Sequence, residues 1–248
     1  MPIEIEVCID NMESLHHAID GGADRIELCS SLALGGLTPS VGLMKRAAIA
    51  STVPVYAMIR PRQGDFIFNQ DDIKCMIDDI HAAGQAKLHG VVLGALTPDG
   101  EVDMITMKKL VEVANHYQLG ITFHRAIDQC RDYKTSLEAV ISLGCERVLT
   151  SGLATTAEEG VEVLSSMVKL ANHRIDIMAG AGVNADNAEK LLTLSHVPAL
   201  HLSGKSTRKS YMTFQSSAQM GKAEYDDYVI PITDSSQIRA IKTVVQKY

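Results

Sequence analysis

The chain has 248 residues, a formal net charge of −7 and an apolar fraction of 46%. These values fit one globular domain with a sizeable core, and they argue against a nucleic-acid or anionic-membrane binder, which needs a basic face. No apolar run approaches the roughly 20 residues that span a bilayer, and the acidic N-terminus is unlike a signal peptide. The five cysteines are odd in number and irregularly spaced. We therefore expect a reduced, cytoplasmic protein without disulfides.

Short β-rich segments alternate with longer amphipathic ones from the first residues onward. Strands are predicted at residues 3–8, 25–29, 55–60, 90–93, 121–124, 147–151, 175–179 and 200–203. Between them, apolar residues recur at helical spacing, as in Ile73, Met76, Ile77 and Ile80. This alternation requires parallel strands with crossovers, and eight units close a barrel. We predict a single TIM-like (β/α)8 barrel over residues 1–248. A doubly wound open sheet is the alternative, but no GxGxxG motif opens a helix after the first strand.

Two helix starts carry recognisable capping patterns. Thr38 followed by Pro39 is predicted to be an N-cap with proline in the first helical position. Asn184 is predicted to cap the helix that carries Leu191 and Leu192.

Residues 204–233 break the strand–helix alternation. The segment is polar and basic at its start and shows no helical stripe, and a loop this long in a compact domain is usually functional or part of an interface. One hypothesis is therefore an oligomer arm, which makes the protein a homo-oligomer, a dimer or larger. Residues 234–247 are predicted to form a closing helix.

Strand phase predicts a polar barrel interior. Alternate residues of a strand point to opposite faces, and the aliphatic face, such as Ile5 and Val7, must pack under the helices. The opposite face then collects ionisable groups near the C-terminal strand ends, where barrel enzymes hold their sites: Glu6, Glu27, Arg60, His124 and His201. Buried unpaired, each would cost several kcal/mol, so they must pair with each other or with a ligand. The structural alternative is a network in which Arg60 neutralises Glu6 and Glu27.

Two segments are candidate anion sites. Arg60 and Arg62 flank a proline after the third strand, and such a pair can grip a carboxylate or phosphate. The small residues around Gly180 and Gly182 precede a predicted helix start, where backbone N–H groups attract anions. Ser151 ends the sixth predicted strand, and His201 and Ser203 lie at the end of the eighth, where they can add donors. The alternatives are a solvated surface loop and a tight turn that needs glycine.

Proton transfer would fall to His124 at the end of the fifth strand. A histidine at a barrel mouth can move protons near neutral pH, and Asp128 is predicted to orient it. Glu6 or Glu27 would be the partner base. The hypothetical catalytic set is thus Glu6, Glu27, Arg60 and His124, although isolated histidines are more often structural.

Cys8 and Cys29 end the first two strands, each two residues after a glutamate. Two thiolates on neighbouring strands suit a soft ion such as Cu(I) far better than Mg²⁺ or Ca²⁺. The alternative is two small buried hydrophobic residues, the usual state of free cysteines.

Several segments together form a family pattern: IEVC (5–8), GGADRIELC (21–29), GGLTPS (35–40), IRPRQGDF (59–66), TFHRAID (122–128), ERVLTSG (146–152) and MAGAGV (178–183). With them the chain closely resembles the CutC family of copper homeostasis proteins. The resemblance implies a TIM-like barrel, a cytoplasmic location and copper handling, with the family's copper-binding cysteines at Cys8 and Cys29. The first hypothesis is accordingly a cytosolic protein that holds Cu(I) between these two thiols. The second is an enzyme acting on a small phosphorylated or carboxylated metabolite at the barrel mouth, with Arg60 and the backbone of 180–182 holding the anion.

Overall fold

Eight parallel strands pair in chain order and close into a barrel in the computed structural model, which describes residues 2–218, 220 and 226–248. The strands are β1 Glu4–Ile9, β2 Arg25–Leu28, β3 Val55–Met58, β4 Gly90–Leu93, β5 Gly120–Phe123, β6 Arg147–Thr150, β7 Asp176–Ala179 and β8 Ala199–Leu202. The pairing of β1 with β8 closes the cylinder. The predicted TIM-like barrel in a single domain is thereby confirmed, and the open sheet is excluded.

A ring of helices surrounds the strands. The helices are α1 Met12–Gly21, α2 Val41–Ala50, α3 Gln70–Gln85, α4 Met104–His116, α5 Tyr133–Ser142, α6 Val161–Ala171, α7 Ala185–Ser195 and α8 Ser235–Val245. In the described part of the chain, none of them is long and apolar enough to cross a membrane.

The structure confirms one predicted helix cap and corrects the other. Asn184 caps α7 by accepting hydrogen bonds from the N–H groups of Asp186 and Asn187. The N-cap of α2 is Ser40 rather than Thr38. Thr38 instead accepts a 2.9 Å hydrogen bond from the backbone N–H of Arg60, so it anchors the strand end that carries this arginine.

The apolar core lies outside the barrel, between strands and helices. Side chains such as Ile5, Val7, Ile26 and Leu28 are fully buried there. A buried side chain of this size contributes about 1.5–3 kcal/mol, so this layer stabilises the fold. The alternate strand residues fill the interior, which combines small apolar clusters with ionisable groups.

The segment after β8 forms an antiparallel ribbon, whereas its sequence predicted a long loop. Its strands are β9 Lys205–Lys209 and β10 Val229–Thr233, with Lys205 opposite Thr233. Of the intervening segment, residues 219 and 221–225 lie outside the described residues. The helix predicted at 234–247 is α8, which packs against α1. A Cβ at Gly21 of α1 would lie only 2.5 Å from the Cβ of Ile238, so the contact requires glycine.

Candidate functional site

A cavity of about 890 Å³ opens at the C-terminal ends of the barrel strands. The barrel contributes ionisable side chains to it: Cys8, Glu27, Arg60, His124 and His201. Its apolar walls include Met58, Phe66 and Leu149, and the ribbon covers it with Lys205, Thr207, Val229 and Pro231. The volume falls within the range of small-molecule sites and far exceeds the needs of a single ion.

His201 occupies the centre of the cavity floor, between two glutamates. Its Nδ1 lies 2.7 Å from Glu6 Oε1, and its Nε2 lies 3.7 Å from Glu27 Oε2. Strand register explains this arrangement, because Glu6 on β1 lies opposite both His201 on β8 and Arg25 on β2. Since an ionised carboxylate only accepts hydrogen bonds, Nδ1 is the donor to Glu6. The second ring nitrogen is therefore turned toward Glu27.

The floor residues have strongly shifted pKa values. Burial alone would raise the pKa of Glu6, but the charge of Arg25 and the contacts with His201 outweigh it and lower this pKa to about 2. Burial raises the pKa of Glu27 to about 7, despite the opposing charge of His201. Burial alone would lower the pKa of His201, but Cys8 and Glu27 outweigh it and raise this pKa well above its ordinary value. Near neutral pH, an ionised Glu6 thus faces a protonated His201, with Glu27 close to its midpoint.

Cys8 joins this floor as a third possible metal ligand. One ligand atom each from Cys8, Glu27 and His201 lie within 4.8 Å of one another. The strand stagger produces the group, because Cys8 is the register partner of Glu27 and not of Cys29. Cys29 lies behind Glu27, with its Sγ 3.6 Å from Glu27 Oε2, and burial raises the pKa of its thiol well above the ordinary value. The structure therefore groups Cys8 with a carboxylate and an imidazole.

Arg60 is held by backbone carbonyls. Its Nη1 donates to the carbonyls of Leu34 and Gly36, and its Nη2 donates to Gly64, at 2.8–3.3 Å. The guanidinium stacks on Phe66 at 5.0 Å, and its Nε has no partner in the described part of the chain. Burial, followed by the charge of Arg62, lowers the pKa of Arg60.

The expected neutralisation of Glu6 and Glu27 by Arg60 is wrong. Arg25, at the opposite end of the barrel strands, forms ion pairs with Glu4 and Glu6. Arg25 was not among the predicted site residues, because it lies at the start of its strand. Its long side chain nevertheless reaches the carboxylate of Glu6 in the barrel interior.

His124 is a buried neutral imidazole at the cavity wall. Its Nδ1 accepts a 3.2 Å hydrogen bond from the N–H of Ala126, and its ring packs against Phe66 at 4.8 Å. Burial, together with the charge of Arg60, lowers its pKa to about 3. Because Nδ1 is the acceptor, the proton of the neutral ring sits on Nε2, which has no partner among the described residues.

The predicted orienting contact from Asp128 to His124 is also wrong. Asp128 accepts hydrogen bonds from Thr150 and Ser151 and pairs with Arg125 at 2.7 Å. These contacts connect the loops after β5 and β6. His124 is oriented instead by the backbone N–H of Ala126, which donates to its Nδ1.

The residues predicted to bind an anion are divided by the structure. Arg60, Gly182, His201 and Ser203 border the cavity, whereas Arg62, Ser151 and Gly180 are not among the residues that line it. Arg62 lies on the surface with 39% of its side chain exposed and pairs with Asp65 and Asp72. Ser151 is buried against Asp128. Gly180 lies beside His201, where a Cβ would meet Leu149 at 2.6 Å, so its role there is close packing.

The glycine-rich segment before α7 is only partly open to a ligand. Asn184 already accepts from the first helical N–H groups, and Asn184 and Asn187 both donate to the carbonyl of Gly182. The cap thus occupies donors that a phosphate would need. Phe66 and the ribbon, in contrast, border the cavity without having been predicted. Only spatial contact reveals them, since neither follows from strand phase.

Comparison with known proteins identifies the family of this chain. The CutC family model matches residues 3–206. Over 245 residues the chain is 64% identical to the family protein CutC of Vibrio atlanticus (strain LGP32), with 99% of each chain covered. The family protein CutC of Aliivibrio fischeri (strain MJ11) is 59% identical over 243 residues, with 98% of each chain covered.

Solved structures give the same result. One from Streptococcus agalactiae, provisionally named copper homeostasis protein CutC, is 32% identical with a TM-score of 0.77, covering 81% of this chain and 98% of that one. A phosphoribosylanthranilate isomerase from Thermotoga maritima matches 99% of this chain and 100% of its own, at 12% identity and a TM-score of 0.59. That second likeness shows the barrel fold alone. The family model over residues 3–206 and the identity to relatives over nearly the whole chain place this protein in the CutC family.

Proposed function

We propose that this protein binds copper(I) at the mouth of its barrel, through Cys8 Sγ and His201 Nε2 with Glu27 beside them. Binding displaces the protons that the thiol and this ring nitrogen carry in the metal-free protein, and these protons pass to the solvent. The observation that carries the proposal is the clustering of these three donor groups within 4.8 Å. A thiolate and an imidazole are ligands that suit Cu(I). Glu6 holds the other ring nitrogen of His201, and a carboxylate in that position orients a metal-binding imidazole.

The cysteine pair implied by the family resemblance stays in this proposal with unequal roles. Cys8 borders the cavity, whereas Cys29 is fully buried behind Glu27 and packs with Tyr56 and Met58. We assign direct contact with the ion to Cys8 and an accessory role to Cys29.

Competition for Cu(I) with a chromogenic chelator tests the proposal. Cys8→Ser and His201→Gln are expected to weaken Cu(I) binding most, and Glu6→Gln by roughly ten- to a hundredfold, the usual effect of removing an outer partner. Cys75→Ser is the matched control, because Cys75 is an exposed cysteine on α3. Wild-type affinity in the Cys8→Ser, Cys29→Ser double variant would remove the copper proposal.

The proposal also places the protein in the reducing cytoplasm. Its five cysteines are all free, and a Cu(I) site needs Cys8 to stay reduced. Immunodetection in separated cell fractions would contradict this part by finding the protein outside the cytoplasm.

Self-association is a separate part of the proposal. The segment between the ribbon strands exposes Tyr211, Met212 and Phe214, which supports contact with a second copy. Light scattering before and after deletion of this segment measures the number of chains per particle. An unchanged number would contradict the assignment.

A second candidate function is an enzyme that acts on a small carboxylated or phosphorylated metabolite. The cavity volume of about 890 Å³ favours it, together with a buried Arg60 that forms no ion pair in the described part of the chain. Mass spectrometry of small molecules that copurify with the native protein tests it. The candidate requires an anionic metabolite that is lost from Arg60→Met, and it fails if only neutral compounds copurify.

A further inference from the structure

We propose that Arg60, His124 and Phe66 form a subsite for the carboxylate group of a small organic acid. The subsite borders the cavity described above but uses none of the three donor groups assigned to copper. It therefore does not rest on copper binding. It gives the enzyme candidate a substrate class and corrects the anion site expected from sequence.

The first observation is the uncompensated charge of Arg60. This side chain is 8% exposed, and the groups that hold it are three neutral carbonyls. No carboxylate of the described chain forms an ion pair with it, although ion pairs neutralise the interior Arg25 and Arg147. A buried cation without a counter-ion is unfavourable by itself and attracts an anion from solution.

The second observation is an unused donor beside it. His124 is 3% exposed, and its Nε2–H has no acceptor in the described part of the chain. The ring is fixed on two sides. Its Nδ1 accepts the hydrogen bond from Ala126, and it packs so closely against Gly94 that a Cβ there would lie 2.8 Å from the imidazole. Gly94 thus provides the space in which this ring sits.

Phe66 joins the two donors into one site. Its ring lies 5.0 Å from the Arg60 guanidinium carbon and 4.8 Å from the centre of the His124 ring. An aromatic wall against both groups excludes water from them, which strengthens their attraction for a negative charge. The wall also offers apolar contact to the carbon skeleton of a ligand.

The number of unused donors favours a carboxylate over a phosphate. On Arg60, Nη1 donates both of its N–H groups and Nη2 donates one, so the Nε–H and one Nη2–H remain, together with the Nε2–H of His124. The two oxygens of a carboxylate can accept all three of these hydrogen bonds, whereas a phosphate has further oxygens that need partners. The capped start of α7 does not supply them, since its first N–H groups are taken by Asn184.

The remainder of such an acid would extend toward the cavity floor. Glu27 borders the same cavity, and its Oε1 is another buried atom without a partner in the described residues. The fourth atom of this kind is Nε of Arg147, which is not among the cavity-lining residues. Three of the four unsatisfied buried side-chain atoms thus belong to residues that border one cavity, as a site shaped for a polar ligand requires.

Calorimetric titration of the full-length, metal-free protein tests the subsite. The probes are pyruvate, lactate and succinate, each beside its neutral amide, together with inorganic phosphate. We expect at least one acid to bind more tightly than its amide and than phosphate. Arg60→Met should weaken this binding by roughly ten- to a hundredfold, the effect of losing a hydrogen bond to a charged group.

Arg62→Met is the matched control, because Arg62 is two residues away, is exposed and is paired with Asp65 and Asp72. It should bind the acid like the wild-type protein. His124→Leu gives a second reading if Arg60→Met does not fold, and it should also weaken binding of the acid while leaving Cu(I) affinity unchanged.

Three results would overturn the subsite: equal binding of acids and amides, tighter binding of phosphate, or full acid binding by folded Arg60→Met and His124→Leu. Loss of copper binding in Cys8→Ser with intact acid binding would separate the two sites. The failure of either proposal is thus distinguishable from the failure of the other.

Discussion

The two ends of the barrel interior treat buried arginines in opposite ways. At the N-terminal ends of the strands, Arg25 pairs with Glu4 and Glu6, and Arg147 pairs with Glu4 and Glu146. At the C-terminal ends, the hydrogen bonds of the Arg60 guanidinium to the described residues all go to backbone carbonyls. All three arginines are buried, so burial alone does not distinguish them. Their partners distinguish them. The ionisable groups at the N-terminal strand ends, here called the lower group, neutralise one another. Those at the C-terminal strand ends, the upper group with Arg60 and His124, leave a positive charge available to a ligand.

The pKa shifts of Arg25 and Arg60 follow this difference. Burial alone would lower the pKa of Arg25, but Glu6 and Glu4 outweigh it and raise the value. For Arg60, burial and the nearby Arg62 lower the pKa, because no carboxylate in the described chain opposes them by an ion pair. A buried arginine is thus a structural group where carboxylates surround it and a candidate binding group where they do not.

Arg25→Met tests the lower group and should have the largest effect. The change leaves Glu4 and Glu6 without their main cationic partner in the barrel interior, which is expected to lower the free energy of unfolding by roughly 3–5 kcal/mol. Denaturant unfolding at neutral pH measures the loss. Arg174→Met, which removes the surface pair with Glu138, is the control and should leave stability nearly unchanged. A similar effect of both changes would erase the contrast between interior and surface.

His124→Gln tests the upper group through acid unfolding. The folded-state pKa of His124 is about 3, below the ordinary value near 6.5, so the folded state favours the neutral ring. Its contribution to stability is present above pH 6.5 and is lost as the pH falls toward 3, by roughly 2–4 kcal/mol. As the pH is lowered across this range, the free energy of unfolding should decrease less steeply in His124→Gln than in the wild-type protein. Parallel curves for the two proteins would contradict the neutral imidazole.

Glu27→Gln tests the same region with the opposite sign. The folded-state pKa of Glu27 is about 7, above its ordinary value, so the folded state favours the protonated carboxyl. Its contribution to stability is present below pH 4.5 and is lost as the pH rises through 7, by roughly 1–3 kcal/mol. Relative to wild type, Glu27→Gln should therefore gain stability as the pH rises from 5 to 8. A constant difference over that range would show that Glu27 is ionised throughout.

Arg60→Met should have the smallest effect on stability. The change leaves three carbonyls without a donor but removes an uncompensated buried charge, so we expect a net loss of about 1 kcal/mol or less. The unfolding experiment used for Arg25→Met measures it under the same conditions. A loss as large as that of Arg25→Met would mean that Arg60 is structural, and the contrast between the two ends of the barrel would fail.

Much of the fold was predictable because strand phase is written in local sequence. The alternation of Ile5 and Val7 with Glu6 and Cys8 separates an apolar from a polar face, and the same phase places Glu27 and His201 inside. The stagger between strands is not local. It makes Cys8 the register partner of Glu27 instead of Cys29, and this shift changed the expected metal ligands.

Other parts of the site depend on loops. The carbonyls that hold Arg60 come from the segments around Leu34 and Gly64, whose backbone course no periodic pattern predicts. Thr38 was misassigned for a similar reason, since it resembles a helix cap but serves the backbone of Arg60. The ribbon was missed because its two strands are far apart in sequence and pair only with each other.

The cover of the cavity also has an evolutionary consequence. β9 and β10 supply it with side chains such as Lys205, Val229 and Pro231, yet the match to the CutC family model stops at residue 206. Most of this cover thus comes from beyond the part of the chain that the family model matches, while the floor and walls come from within it. We expect relatives to retain a common chemical group at the floor and to diverge in the molecules they admit, because a hairpin changes length and composition more readily than a closed barrel.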